Sequence, residues 1–144
     1  MSPALKAHFS EYGSFHLTRG NQACHYVGIP LIVLTLFTFL TRVELFEVGG
    51  LNVTLAEGVM LAVVAYYLTL DRSLGLLMLI VYAALNVAGR SISLPWAAAL
   101  FVLGWVFQFL GHAVYEKRSP AFYKNALHLL VGPLWITAKA VGRA

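Results

Sequence analysis

The sequence predicts an all-α integral membrane protein, with about four transmembrane helices, a short N-terminal surface helix and a C-terminal interfacial or re-entrant segment. Three observations carry this expectation. The chain of 144 residues is 60% hydrophobic and only 11% charged, whereas soluble domains are nearer 25% charged. A water-soluble protein this short has too little interior to hide so much apolar surface. The apolar residues fall in four stretches without period-two alternation, the pattern of buried helices and not of barrel strands. The length suits a single membrane domain, 1–144.

Taken in order, residues 2–12 read as a short surface helix, and Gly13-Ser14 and Gly20 punctuate the stretch between it and the first span. Residues 1–20 hold no apolar core of a signal peptide, so the first span is expected to act as its own membrane signal. The spans run 25–41, 51–70, 74–88 and 94–114. A crossing needs roughly 20 residues. The second and fourth meet that, and the shorter first and third are expected to draw on polar flanks. The segment 126–141 carries Gly132-Pro133 at its centre, where a proline is expected to break or kink a helix. It reads as interfacial or re-entrant, with Trp135 at headgroup depth.

With four spans, Lys6, Arg19, Arg72, Lys117, Arg118, Lys124, Lys139 and Arg143 share one side, against Arg42 and Arg90 on the other. This asymmetry predicts cytoplasmic termini, in a bacterial inner membrane or an endoplasmic-reticulum-like membrane. The net charge of +4 is scattered over ends and loops, without the basic run and interleaved aromatics of a nucleic-acid binder. Cys24 is the only cysteine, which excludes an internal disulfide. Glu57 and Asn86 fall inside spans. A carboxylate there is costly alone, so Glu57 is expected to be hydrogen-bonded by Asn86 or a neighbouring helix, or protonated.

The histidines carry the chemistry. His16 and His25 lie before or at the start of the first span, His112 at the end of the fourth, and His128 soon after. In this topology all four meet one membrane face, and several imidazoles at one depth can surround an ion. His8 reads as solvated or structural. Two patterns hold the others: Tyr12-x3-His16-x4-Asn21-x3-His25-x2-Gly28-x-Pro30, and Gln108-x2-Gly111-His112-x3-Glu116-x3-Pro120-Ala121. Asn21 with His25, and His112 with Glu116, are four apart and would share a helix face. Histidine with a carboxylate suits a non-haem iron(II) site with open positions, and it suits zinc as well. His128 reads equally as a fourth ligand or as an interfacial residue. Two other classes fit the same residues: a haem-binding electron carrier with His25 and His112 as axial ligands, and a non-catalytic membrane scaffold. The clustered His-x-x-His-His boxes of membrane desaturases are absent.

The stretches YGSFHLTRGNQACHYVGIP, 12–30, and QFLGHAVYEKRSPAFYKN, 108–125, resemble a small membrane family. It includes the fungal iron-dependent 2-hydroxy fatty acid dioxygenase of phytosphingosine breakdown, and the hydrophobic layout between the two stretches fits as well. The resemblance implies Fe(2+) as cofactor, with 2-hydroxy fatty acid and dioxygen as substrates. It implies fatty acid α-oxidation, the removal of one carbon to leave a shorter acid. Carried over residue by residue, it implies His16, His25 and His112 as metal ligands and Glu116 as a ligand or a supporting partner, with Asn21 and Tyr12 in the matched motif as further supporting candidates. His128 lies beyond the matched stretch.

Overall fold

In the computed structural model, which describes residues 1–144 apart from the side chain of Ala121, the chain is mostly helical. Its helices are α1 (Pro3–Ser14), α2 (Arg19–Leu40), α3 (Leu55–Leu70), α4 (Arg72–Arg90), α5 (Leu94–Leu110) and α6 (His128–Ala140). A π-helical turn, Gly111–Glu116, extends α5, and a 3-10 turn covers Ala121–Tyr123. Local chemistry sets the starts. The Ser2 hydroxyl accepts the Leu5 N–H at 3.1 Å to open α1. Thr18 caps α2 in the same way through the Asn21 N–H, and Asp71 caps α4 through the Leu74 N–H at 3.0 Å. Pro95 stands in the first turn of α5, where its missing N–H costs nothing.

Three helices are long and apolar enough to cross a membrane: α2, α4, and α5 with its π turn. Their composition marks a membrane protein. The apolar α3, at 16 residues, is shorter. Polar flanks lengthen the first and third expected spans: α2 begins at Arg19, ahead of His25, and α4 runs from Arg72 to Arg90. The helices alternate in direction. Thr38, late in α2, lies against Gly89, late in α4, while Asp71, between α3 and α4, meets Arg143 past the end of α6. The tightest approach is α2 on α5. A β-carbon at Gly28 would lie 2.7 Å from the Gly104 carbonyl oxygen, and one at Gly111 would lie 2.5 Å from Asn21 Oδ1. Glycines here let two backbones close on each other, as small residues do between membrane helices.

The structure corrects two expectations. The expected span 51–70 is helical only from Leu55. Its first residues form β2 (Leu51–Thr54), which pairs antiparallel with β1 (Glu44–Val48). Gly49 and Gly50, at φ 59° and 80°, make the tight turn that only glycine adopts freely. The segment 126–141 is not interrupted at Pro133: α6 runs through it, and Val131 to Trp135 are buried. Burial of that apolar face outweighs the one backbone hydrogen bond that proline removes. The expected surface helix is α1: Leu5, Phe9 and Tyr12 bury one face in the same core as α6, and its other residues are exposed or half-buried. Glu57 has partners from several elements. It accepts from Asn86 and Arg90 on α4, each at 2.6 Å, and from the Thr54 hydroxyl and N–H at 2.6 and 2.8 Å.

Candidate metal centre

The C-terminal end of α1, the first turns of α2 and the end of α5 meet at one end of the bundle. His16 Nδ1 donates to the Tyr12 carbonyl at 2.6 Å, an acceptor in the last turn of α1 that also takes the Phe15 N–H at 3.1 Å. His25 Nδ1 donates to the Asn21 carbonyl one helical turn back, at 2.9 Å. Carbonyls only accept, so each Nδ1 carries the proton and each Nε2 presents a lone pair. Those two Nε2 atoms face each other at 3.0 Å. Two lone pairs that close repel unless a cation lies beside both. Burial pushes the His16 imidazole down to about 4, so at neutral pH a shared proton is disfavoured and a metal ion fits.

His112 completes the cluster from the π turn, a distortion frequent at functional sites. Its ring centroid is 4.9 Å from those of both His16 and His25, and its buried Nδ1 has no hydrogen-bond partner. One nitrogen from each of the three histidines falls within 4.8 Å of the others, and all three residues are buried. Rings this close leave no slot for a porphyrin between His25 and His112. Tyr12 stacks on His16 at 4.0 Å between centroids, with Trp135 at 5.8 Å, so aromatic packing limits rotation of the His16 ring.

The other candidates stand differently. Glu116 is outside the cluster. Its carboxylate accepts the Leu17 and Thr18 N–H groups at 3.0 and 3.1 Å, the Thr18 hydroxyl at 2.9 Å and the Asn21 amide at 3.1 Å. It therefore clamps the α1–α2 loop and sits at the positive end of the α2 dipole. Asn21 serves twice, through its carbonyl to His25 and its side chain to Glu116. His128, the first residue of α6, is also apart from the triad. Its Nε2 is 3.4 Å from the Glu11 carboxylate, and its ring sits edge-on to Tyr12. His8 faces Tyr66, with 3.4 Å between its Nε2 and the Tyr66 hydroxyl.

A cavity of about 290 Å³ opens from the triad between α2, α5 and α6. His16, His25, His112, His128, Tyr12 and Gln108 line its polar end, and side chains such as Ile29, Ile32, Phe101 and Trp105 line the rest. A nitrogen-donor cluster at the head of an apolar cavity suits an amphipathic ligand, with its polar group at the histidines.

The family described as 2-hydroxy-palmitic acid dioxygenase Mpo1-like matches residues 3–144. The chain belongs to the Mpo1-like family. The 2-hydroxy-palmitic acid dioxygenase MPO1 of Saccharomyces cerevisiae is 29% identical over 127 residues, which is 88% of this chain and 73% of the yeast protein. No solved structure matches. In this Mpo1-like chain the family match takes in every helix that contributes to the triad.

Sequence reasoning missed the place of two residues near the triad of the Mpo1-like chain. Gln108, buried on α5, lines the cavity, and its Nε2 has no partner. The signal was present, since Gln108 precedes His112 by one helical turn and so shares its face. Trp135, expected at headgroup depth, is buried against Tyr12 and His16.

Proposed function

We propose that this protein is an iron(II)-dependent dioxygenase that removes one carbon from 2-hydroxy fatty acids at the cytoplasmic membrane interface. The carrying observation is the pair of Nε2 atoms 3.0 Å apart, each on a ring whose Nδ1 is committed to a carbonyl. In this reading His16, His25 and His112 hold the metal, and His128 stands on the cavity wall beside it. Iron(II), when bound, supplies the electrons and open positions that dioxygen chemistry needs. With dioxygen as sole oxidant, a 2-hydroxy acid gives the acid shorter by one carbon, carbon dioxide and water, which balances.

The chain's own residues hold and shelter. The Tyr12 and Asn21 carbonyls keep both Nε2 atoms free of protons and aimed together, and such partners also raise ligand basicity. Glu116 fixes the loop that carries His16. The apolar cavity takes the acyl tail while the carboxylate and adjacent hydroxyl stay at the histidines. We further propose that α2 to α5 make four crossings and that both termini face the cytoplasm. The alternating helix directions and the apolar α3 support this, as does the gathering of basic residues at the histidine end.

The test is elemental analysis of the purified protein together with oxygen uptake on 2-hydroxypalmitate. Wild type should carry stoichiometric iron and yield the shortened acid. His112→Ala should lose both iron and turnover while eluting as a folded species. Full iron and full turnover in that variant would overturn the proposal.

A further inference from the structure

The cavity beneath the histidines has a neighbour. A second apolar cavity of about 320 Å³ adjoins it between α2, α3 and α6, reaching Phe37, Met60 and Tyr82. Val33, Leu36, Leu129 and Pro133 line both, so these four side chains stand at the boundary, or neck, between them. Measured along α2, Val33 lies about 12 Å from His25, and Leu40, on the wall of the second cavity, about 22 Å. Each cavity is near the lower end of the range typical for small-molecule sites.

Two features fix what the second cavity can hold. Among the described residues, Tyr82 is its only polar lining side chain, and the Tyr82 hydroxyl is already paired with that of Tyr67 at 3.2 Å. A polar headgroup there would lose its hydration without compensation. Leu36 and Leu129, at the neck, are 43% and 51% exposed, and in a membrane protein that exposure is to lipid. The neck is thus open sideways, between α2 and α6, toward the acyl chains of the bilayer.

Resting on the dioxygenase reading above, we propose that the substrate's acyl tail threads the neck into the second cavity, and that Val33, Leu36 and Leu129 determine chain-length specificity. A long-chain acid fills both cavities with its carboxylate at the histidines. A short-chain acid ends within the first and gains nothing from the second. The tail enters laterally from the membrane past Leu36 and Leu129.

The test needs no turnover. Straight-chain fatty acids from octanoate to palmitate displace a fluorescent fatty acid from the protein in lipid nanodiscs. Affinities are compared as variant-to-wild-type ratios, in which partition into lipid cancels. Each methylene placed in an apolar pocket changes discrimination by about 10-fold or more, so Val33→Phe, with its ring in the neck, should weaken palmitate by at least about 10-fold and leave octanoate within about 2-fold. Leu129→Phe should narrow the neck from α6 with the same length dependence, and Met60→Phe, at the far wall, should affect only the longest chains. Bound iron reports that each variant is folded. Equal weakening of all lengths, or no change in length dependence across the three variants, would overturn the neck. If wild type oxidises no 2-hydroxy acid yet Val33→Phe truncates the length series, the dioxygenase reading fails and the neck stands. Turnover of 2-hydroxypalmitate with an unchanged length series in the variants has the opposite meaning.

Discussion

Glu116 shows how much a single residue's role depends on what surrounds it. Four apart from His112, it reads in sequence as a ligand candidate. Folded, it accepts hydrogen bonds from Leu17, Thr18 and Asn21, which leaves it occupied in holding the α1–α2 loop. Replacing it with alanine frees that loop and, through Asn21, loosens His25. Changes to groups that orient ligands typically cost about 10- to 100-fold in metal affinity or activity. We expect Glu116→Ala to lower iron affinity by that factor, measured by chelator competition, while His8→Ala leaves it unchanged. Loss of metal affinity in Glu116→Gln comparable to that in His112→Ala would instead mark Glu116 as a ligand. The tautomers of His16 and His25 are also set by neighbours, through the carbonyls of Tyr12 and Asn21, which no side-chain motif records.

At the scale of elements, the turn between α3 and α4 ties to the chain's last residues. Asp71 caps α4 through the Leu74 N–H and accepts two hydrogen bonds from the Arg143 guanidinium, at 3.2 and 2.9 Å. The Leu74 N–H, then the Met1 ammonium at 3.0 Å, then Arg143 hold its carboxyl well below the usual carboxylate range, against the opposing effect of burial. A carboxylate depressed on folding stabilises the fold above its unfolded pKa and loses that contribution as pH falls toward its folded value. Asp71→Asn should therefore melt lower than wild type at neutral pH, by a gap that stays constant down to about pH 4 and closes below it. Thermal unfolding in detergent at stepped pH reads this directly, and a gap independent of pH would refute it. The hairpin and α6 belong to the same scale. Gly49-Gly50 is a readable turn signal inside an otherwise apolar run. Pro133 argues for a break, which burial of Val131, Leu134 and Trp135 overrides.

For the whole molecule, the alternating helices put the histidines and most of the basic residues at one end, with Arg42, Arg90 and the β1–β2 hairpin at the other. α3 spans about 24 Å, somewhat less than the roughly 30 Å of a bilayer's hydrocarbon core. Thr54 and Asp71 set polar groups at its two ends. A reporter fused after Ala144 should be cytoplasmic, and one inserted at Gly49-Gly50 should lie on the opposite side. A C-terminal reporter outside the cytoplasm would overturn this topology.

By itself the sequence determined the membrane class, because a chain with so few charges and so short an interior has no aqueous alternative. It also brought the histidines to one end, since alternating apolar spans place the start of α2 and the end of α5 together. Only the tertiary structure decided which of them meet. The π turn and the glycine contacts of α2 with α5 bring His112 onto His16 and His25, while His128 is held off beside Glu11 and Tyr12. Periodicity reports which residues are buried, but ring orientation, tautomer and the partner of each carboxylate depend on backbone groups brought close by packing, and those leave no mark in the order of side chains.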